Sequence, residues 1–122
     1  MTRPELVEGI AQGIATMEGY YSIGSLSQRQ NNPGNLRSWG KVPVKNGYCF
    51  FFSADEGWRA LRTQVEKNVN RGLTLQEFFG GKPGVYGGYS PAADKNNPHG
   101  YAQFVAGKVG IPDDVALDSL IS

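Results

Sequence analysis

The chain predicts an α+β domain, mostly α-helical, with a small β-hairpin between helices. Three observations carry that prediction. Apolar residues recur at helical spacing in three separate stretches, beginning at Leu6, Trp58 and Tyr101. Capping signatures stand in front of two helices, Ser53-Ala54-Asp55-Glu56 and Thr74-Leu75-Gln76-Glu77. A lone Asn46-Gly47 step sits between β-forming runs, a strong hairpin signal.

Taken in order, Pro4 suits the first turn of a helix, with Thr2 or Arg3 just before it. Leu6, Ile10, Ile14, Met17 and Tyr21 then form its apolar stripe, and Gly19 and Gly24 end it. Gly9 and Gly13 share a face and invite close approach by another backbone. Residues 22–40 show no apolar period and read as a structured loop. Within it, Asn32-Pro33-Gly34-Asn35 fits a type II turn, Pro setting the second position and Gly supplying positive φ at the third. Val42-Pro43-Val44 and Gly47 to Phe52 are the hairpin strands. Trp58, Leu61, Val65 and Val69 line the next helix, which Gly72 stops. A short helix through Phe78 and Phe79 follows Thr74. Residues 80–95 form a Gly- and Tyr-rich loop. Asn97-Pro98 reads as an N-cap and a first-turn proline, and Tyr101, Phe104, Val105 and Val109 supply the stripe up to Gly110. A short terminal helix from Asp113 to about Leu120 is expected.

Length and composition narrow the function. A chain of 122 residues is expected to form one domain, 1–122, burying roughly two thirds of its unfolded surface. Twelve basic and eleven acidic residues give a net charge of +1, which argues against a dedicated nucleic-acid binder. Cys49 is the only cysteine and lies in an apolar run, so an inert thiol is expected and no internal disulfide can form. One histidine, His99, and one cysteine do not build a typical zinc site, so neither metal nor other cofactor is expected. No signal peptide is visible and no run approaches the roughly 20 apolar residues of a membrane span. A monomer is expected.

Among the carboxylates, Glu18 stands apart. Val7, Ala11, Ile14 and Glu18 fall on one helical stripe, so the acid lies beside the apolar face. A carboxyl group there loses hydration, which favours the neutral form needed to protonate a glycosidic oxygen. After twelve intervening residues, Asn31 to Arg37 form an amide-rich turn suited to a sugar polymer with acetamido groups. The other acids have local explanations: Glu56 and Glu77 complete capping boxes, Glu5 and Glu8 lie in first turns, and Asp113 and Asp114 read as caps. Asp55 and Asp94 fit solvated positions, so no convincing carboxylate pair emerges. Tyr86, Tyr89 and Tyr101, with Tyr20 and Tyr21 beside Glu18, offer stacking surfaces and hydroxyl donors for a sugar.

Met17-Glu18-Gly19-Tyr20, Gly24-Ser25-Leu26 and Arg29 to Arg37 together resemble small bacterial and phage lysozyme-like domains. These are similar in their core to soluble lytic transglycosylases and goose-type lysozymes. The likeness continues through Phe52 to Leu61 and returns at Tyr89-Ser90-Pro91, Asn96-Asn97-Pro98, Tyr101, Val105-Ala106 and Gly110, so it spans the chain from about residue 14 onward. It implies a lysozyme-like fold in which the acid ends a helix beside a cleft and the hairpin forms the opposite wall. It implies that Glu18 is the general acid acting on the β-1,4 bond between N-acetylmuramic acid and N-acetylglucosamine in peptidoglycan. Asn32 and Asn35 would line the glycan groove, Tyr101 matches a tyrosine that reaches toward the acid, and Asn97 and Tyr89 would contact substrate.

Retaining glycosidases place a second carboxylate about 5 Å from the acid and inverting ones about 6.5–9.5 Å away. No second acid here aligns with such a role. A single acid fits the lytic transglycosylase route better than the water-attack route of a muramidase. The alternative is a non-catalytic glycan-binding or virion structural module that kept the groove. The site of action implied is the bacterial cell wall or periplasm. The sequence leaves open whether an inhibitor or immunity protein blocks the groove.

Overall fold

A computed structural model describes all 122 residues, Met1–Ser122. The helices are α1 (Arg3–Met17), α2 (Leu26–Arg29), α3 (Ala54–Asn70), α4 (Leu75–Gly80) and α5 (Pro98–Val109), with 3₁₀ turns at Ala92–Asp94 and Leu117–Leu120. Strands β1 (Val44–Lys45) and β2 (Tyr48–Cys49) pair antiparallel as one two-stranded sheet. About half of the residues are helical, so the fold is mostly-α α+β. The chain divides into two compact units, Ala11–Gln64 and Met1–Ile10 with Val65–Ser122.

In the unit that holds both termini, Thr2 opens α1. Its hydroxyl accepts from the Glu5 N–H at 3.2 Å, and the Glu5 carboxylate accepts from the Thr2 N–H at 2.9 Å. The Thr2 backbone N–H, and after it the Thr2 hydroxyl, hold the Glu5 carboxyl below the ordinary glutamate range by favouring its charged form. The sequence signals this capping box as Thr2-x-x-Glu5, a pattern noticed above only at residues 53 and 74. Thr74 and Glu77 make the same reciprocal pair at the start of α4. Asn97 caps α5 by accepting from the Gly100 N–H at 3.0 Å, with Pro98 in the first turn. At all three starts a local side chain accepts from a backbone N–H that the helix leaves without a partner.

The core of this unit is Leu6, Ile10, Val65, Val69, Leu73, Leu75, Phe78, Phe79, Val105 and Leu117, each fully buried. Burial of one such side chain contributes roughly 1.5–3 kcal/mol. Tyr101 of α5 stacks on Phe79 of α4 with centroids 4.1 Å apart. Gly9 meets a side chain and not a backbone, since a β-carbon there would lie 3.2 Å from Val109. Two expectations change here. Phe104 falls at the exposed margin of the α5 stripe, because Ala102 and Ala106 occupy the buried face instead. The terminal helix shrinks to the 3₁₀ turn Leu117–Leu120: residues 113–115 are bends, and the Leu117 N–H donates to the Leu73 carbonyl instead of continuing a helix.

In the other unit, Ala11, Ile14 and Ala15 continue the buried side of α1, but Met17 and Tyr21 are exposed. The stripe therefore ends one turn earlier than the spacing predicts. Residues 22–40 are not all loop: Ser25 accepts from the Gln28 N–H and nucleates the single-turn α2. The hairpin pairs Val44 with Cys49 and Lys45 with Tyr48. Asn46 and Gly47 both take positive φ, 57° and 80°, as a type I′ turn demands. The strands are shorter than their β-forming runs because Phe50 and Phe51 turn their N–H groups to Pro43 and Gln30. Trp58 is half-buried, while Leu61 carries the buried face of this half of α3.

Candidate functional site

Glu18 occupies the last half-helical position of α1. Its N–H donates to the Ile14 carbonyl at 2.9 Å. Beyond it, the Gly19 N–H reaches the Thr16 carbonyl and the Tyr20 N–H reaches the Ala15 carbonyl, with Gly19 at φ 77°. This is a Schellman ending, and it needs a residue without a β-carbon penalty at Gly19. The motif fixes where the Glu18 side chain leaves the helix. Glu18 is half-buried, and one of its carboxyl oxygens accepts from Asn35 Nδ2 at 3.2 Å.

The partner side chain comes from the amide-rich turn. The Asn35 N–H donates to the Asn32 carbonyl at 3.0 Å, closing the turn over Pro33-Gly34. The positive φ falls at Asn31 (53°) and Asn35 (48°) and not at Gly34, so the turn is not type II. Asparagine tolerates the left-handed region through its short polar side chain, which explains how Gly34 is relieved of that role.

Amides then hold this turn against the hairpin. Asn32 has no exposed surface; its Nδ2 donates to the carbonyls of Leu36 and Cys49, and its Oδ1 accepts from the Leu36 N–H at 2.9 Å. Gln30 Nε2 lies 3.0–3.2 Å from the carbonyls of Lys45, Tyr48 and Cys49. Asn31 Nδ2 donates to the Phe51 carbonyl at 3.1 Å, and Asn46 Nδ2 donates to Gln30 Oε1 at 3.2 Å. Every one of these side chains bonds to the hairpin or to another amide.

Aromatic side chains follow Glu18 along the chain. Tyr20 meets Trp58 edge to face at 5.4 Å, Tyr21 lies 6.5 Å from Trp58, and the Arg62 guanidinium sits 5.4 Å above the Trp58 ring. The Tyr21 hydroxyl donates to Gln12 Oε1 of α1. Spacing assigned Trp58 to the core, and its half-buried place beside two tyrosines was missed. The same unit carries an open cleft of about 340 Å³ lined by Trp39, Val42, Phe51, Glu56, Arg59, Ala60 and Thr63.

The structure thus brings Glu18 and Asn35 into contact and buries Asn32 beneath their turn as a scaffold. Tyr89, Asn97 and Tyr101 belong to the other unit. Tyr89 is half-buried against Phe78 and Phe79, Asn97 is the α5 cap, and Tyr101 is 5% exposed on its stack with Phe79. No group of three or more His, Cys, Asp or Glu side chains is arranged to hold a metal ion. No helix is long and apolar enough to cross a membrane. Neither a protein-family model, a curated protein nor a solved structure matches the chain.

Proposed function

We propose that the chain is a lysozyme-like enzyme that cleaves peptidoglycan strands at the β-1,4 bond between N-acetylmuramic acid and N-acetylglucosamine. The observation that carries this reading is the contact between Asn35 Nδ2 and Glu18, which joins a half-buried acid at a helix end to a rigid turn. A general acid must be held within reach of the bond it protonates, and here both the helix ending and the turn fix it. Tyr20, Tyr21 and Trp58 add flat apolar surfaces of the kind that suit sugar rings.

In the proposed reaction, Glu18 gives its proton to the bridging oxygen as the bond from that oxygen to muramic C1 breaks. The C6 hydroxyl then closes on C1, and its proton returns to the Glu18 carboxylate. The product is a 1,6-anhydromuramic end, and one carboxyl group serves as acid and then as base. With no aligned second carboxylate in the sequence, this route asks less of the chain than a two-acid hydrolysis.

The test is digestion of purified peptidoglycan by wild type and Glu18→Gln, with mass spectrometry of the fragments. Anhydromuramic ends that disappear in the variant are expected. Reducing muramic ends would make the enzyme a hydrolytic muramidase. Retention on the wall without fragments from either protein would replace catalysis by a binding module.

A further inference from the structure

We propose that the cleft between Trp39 and the first turns of α3 binds an amino-acid zwitterion carried on a hydrocarbon stem. Its source is the free end of a diamino diacid in a peptide stem of the wall that is not cross-linked. That source rests on the reading of peptidoglycan as substrate.

The cleft is separate from the surroundings of Glu18. Glu56, Arg59, Ala60 and Thr63 line it at spacings of three, one and three, so they share one stripe of α3. Trp58, which meets Tyr20 and Tyr21, and Arg62, which covers the Trp58 ring, project from another stripe. The base of the cleft is apolar: Phe51 and Ala60 are 2% and 3% exposed, with Trp39 and Val42 half-buried beside them. Its volume of about 340 Å³ is in the range of small-ligand sites.

Glu56 and Arg59 are the charged side chains that line it, and both are exposed. Opposite charges three residues apart on a helix are near enough to pair. No ion pair or hydrogen bond joins these two. Nor does the helix start hold the Glu56 carboxylate. Ser53 Oγ accepts from the Glu56 N–H at 3.2 Å, but the Ser53 N–H makes no return bond. Thr2 with Glu5 and Thr74 with Glu77 do make that return bond. The capping signature at residue 53 is therefore half used, and the Glu56 carboxylate is left to the cleft.

One negative and one positive group over an apolar base select the ligand. A simple anion meets repulsion from Glu56, and a simple cation meets repulsion from Arg59. A carbon bearing both ammonium and carboxylate satisfies the pair: the ammonium donates to Glu56, and the carboxylate accepts from Arg59. Hydrocarbon behind that carbon covers the apolar base. Along a peptide, amide bonds consume the α-amino and α-carboxyl groups. A zwitterion on a hydrocarbon stem therefore survives at the second amino-acid centre of a diamino diacid such as diaminopimelate. Cross-linking acylates that amine and removes its charge, so the cleft favours strands whose stems are not cross-linked.

The probe is the soluble tripeptide L-Ala-γ-D-Glu-meso-diaminopimelate, followed through the NMR resonance of the Trp39 indole N–H. The matching lysine tripeptide keeps the side-chain ammonium and lacks the carboxylate beside it. The resonance should move saturably with the first peptide, and the lysine peptide should bind ~10-fold more weakly. Glu56→Gln and Arg59→Gln alter exposed side chains on a helix that Ser53 still caps, so both variants should fold. Each should weaken the diaminopimelate peptide ~10-fold, and Arg59→Gln should erase the preference over lysine. Equal binding of the two peptides, variants that bind like wild type, or a Trp39 resonance unmoved at about 10 mM peptide would each overturn the site. Free norleucine binding as tightly as the tripeptide would overturn the peptide stem as its source. The titration needs no cleavage. A chain that binds the tripeptide and releases no fragments would lose the proposed reaction and keep this site, whereas fragments without peptide binding would sink the site alone.

Discussion

Gly57 and Asn31 meet backbone to backbone: a β-carbon on Gly57 would stand 1.8 Å from the Asn31 carbonyl oxygen. The first turn of α3 therefore fits against the turn that carries Asn35 only because residue 57 has no side chain. Since backbone carbonyls do not yield as flexible side chains do, Gly57→Ala should destabilise the protein by about 3 kcal/mol. Urea denaturation would measure it. At temperatures where the variant is still folded, the turnover proposed for Glu18 should drop as well, because the displaced segment bears the Glu18 contact.

Asn32 gives a second, chemically distinct prediction. Asn32→Ala leaves the Leu36 N–H without its side-chain acceptor in a fully buried place, a loss of about 2–3 kcal/mol. Asn32→Asp should be worse at neutral pH, since its carboxylate would face the carbonyl oxygens of Leu36 and Cys49. The Asp form should regain stability as pH falls and the introduced acid becomes neutral. Thermal melts of both variants between pH 4 and pH 8 would separate a missing bond from a buried charge.

How much of this was legible in the sequence depends on whether the signal was local. The Asn46-Gly47 hairpin, the Thr74 capping box and the Asn97-Pro98 start are each written within four residues, and each stands as expected. The Asn32–Asn35 turn was placed correctly and typed wrongly. Glycine at the third position suggested positive φ there, but bonds from Asn32 to Leu36 and Cys49 shift the left-handed residue to Asn35. The contact between Asn35 and Glu18 spans seventeen residues, and no local pattern encodes it. Phe104 and Val105 were equal members of one stripe by spacing, and only packing distinguished them.

Tyr86 supplies an alkaline prediction. Burial pushes its hydroxyl above the ordinary tyrosine range, and this outweighs the Asn68 side chain and the positive charge of Arg71, which lower it. A group that folding keeps neutral contributes stability below its unfolded value, about 10, and loses it as pH rises through the folded value. Wild type should therefore lose stability above roughly pH 10 more steeply than Tyr86→Phe. Melting temperatures from pH 8 to 11 would show the wild-type line falling more steeply than that of the variant.

Cys49 should behave as an inert thiol in the native state. It has no exposed surface, and burial raises its thiol above the ordinary cysteine value, so little thiolate is present to react. Modification by a thiol-specific reagent should be slow in buffer and should accelerate at the denaturant concentration where the fold is lost. Fast labelling of folded protein would mean that the β2 region opens locally, well below the cost of global unfolding.

The turn and the hairpin are tied together by Gln30, Asn31, Asn32 and Asn46, which carry hydrogen bonds without carrying charge. None of these groups gains or loses a proton in the range where carboxyl groups do. The segment therefore keeps one shape from acid to neutral solution, whatever the ionisation of Glu18. In the proposed reaction Glu18 would cycle between two proton states on a frame that has only one, so a turnover would change the charge at the site and leave the bonds of the frame alone.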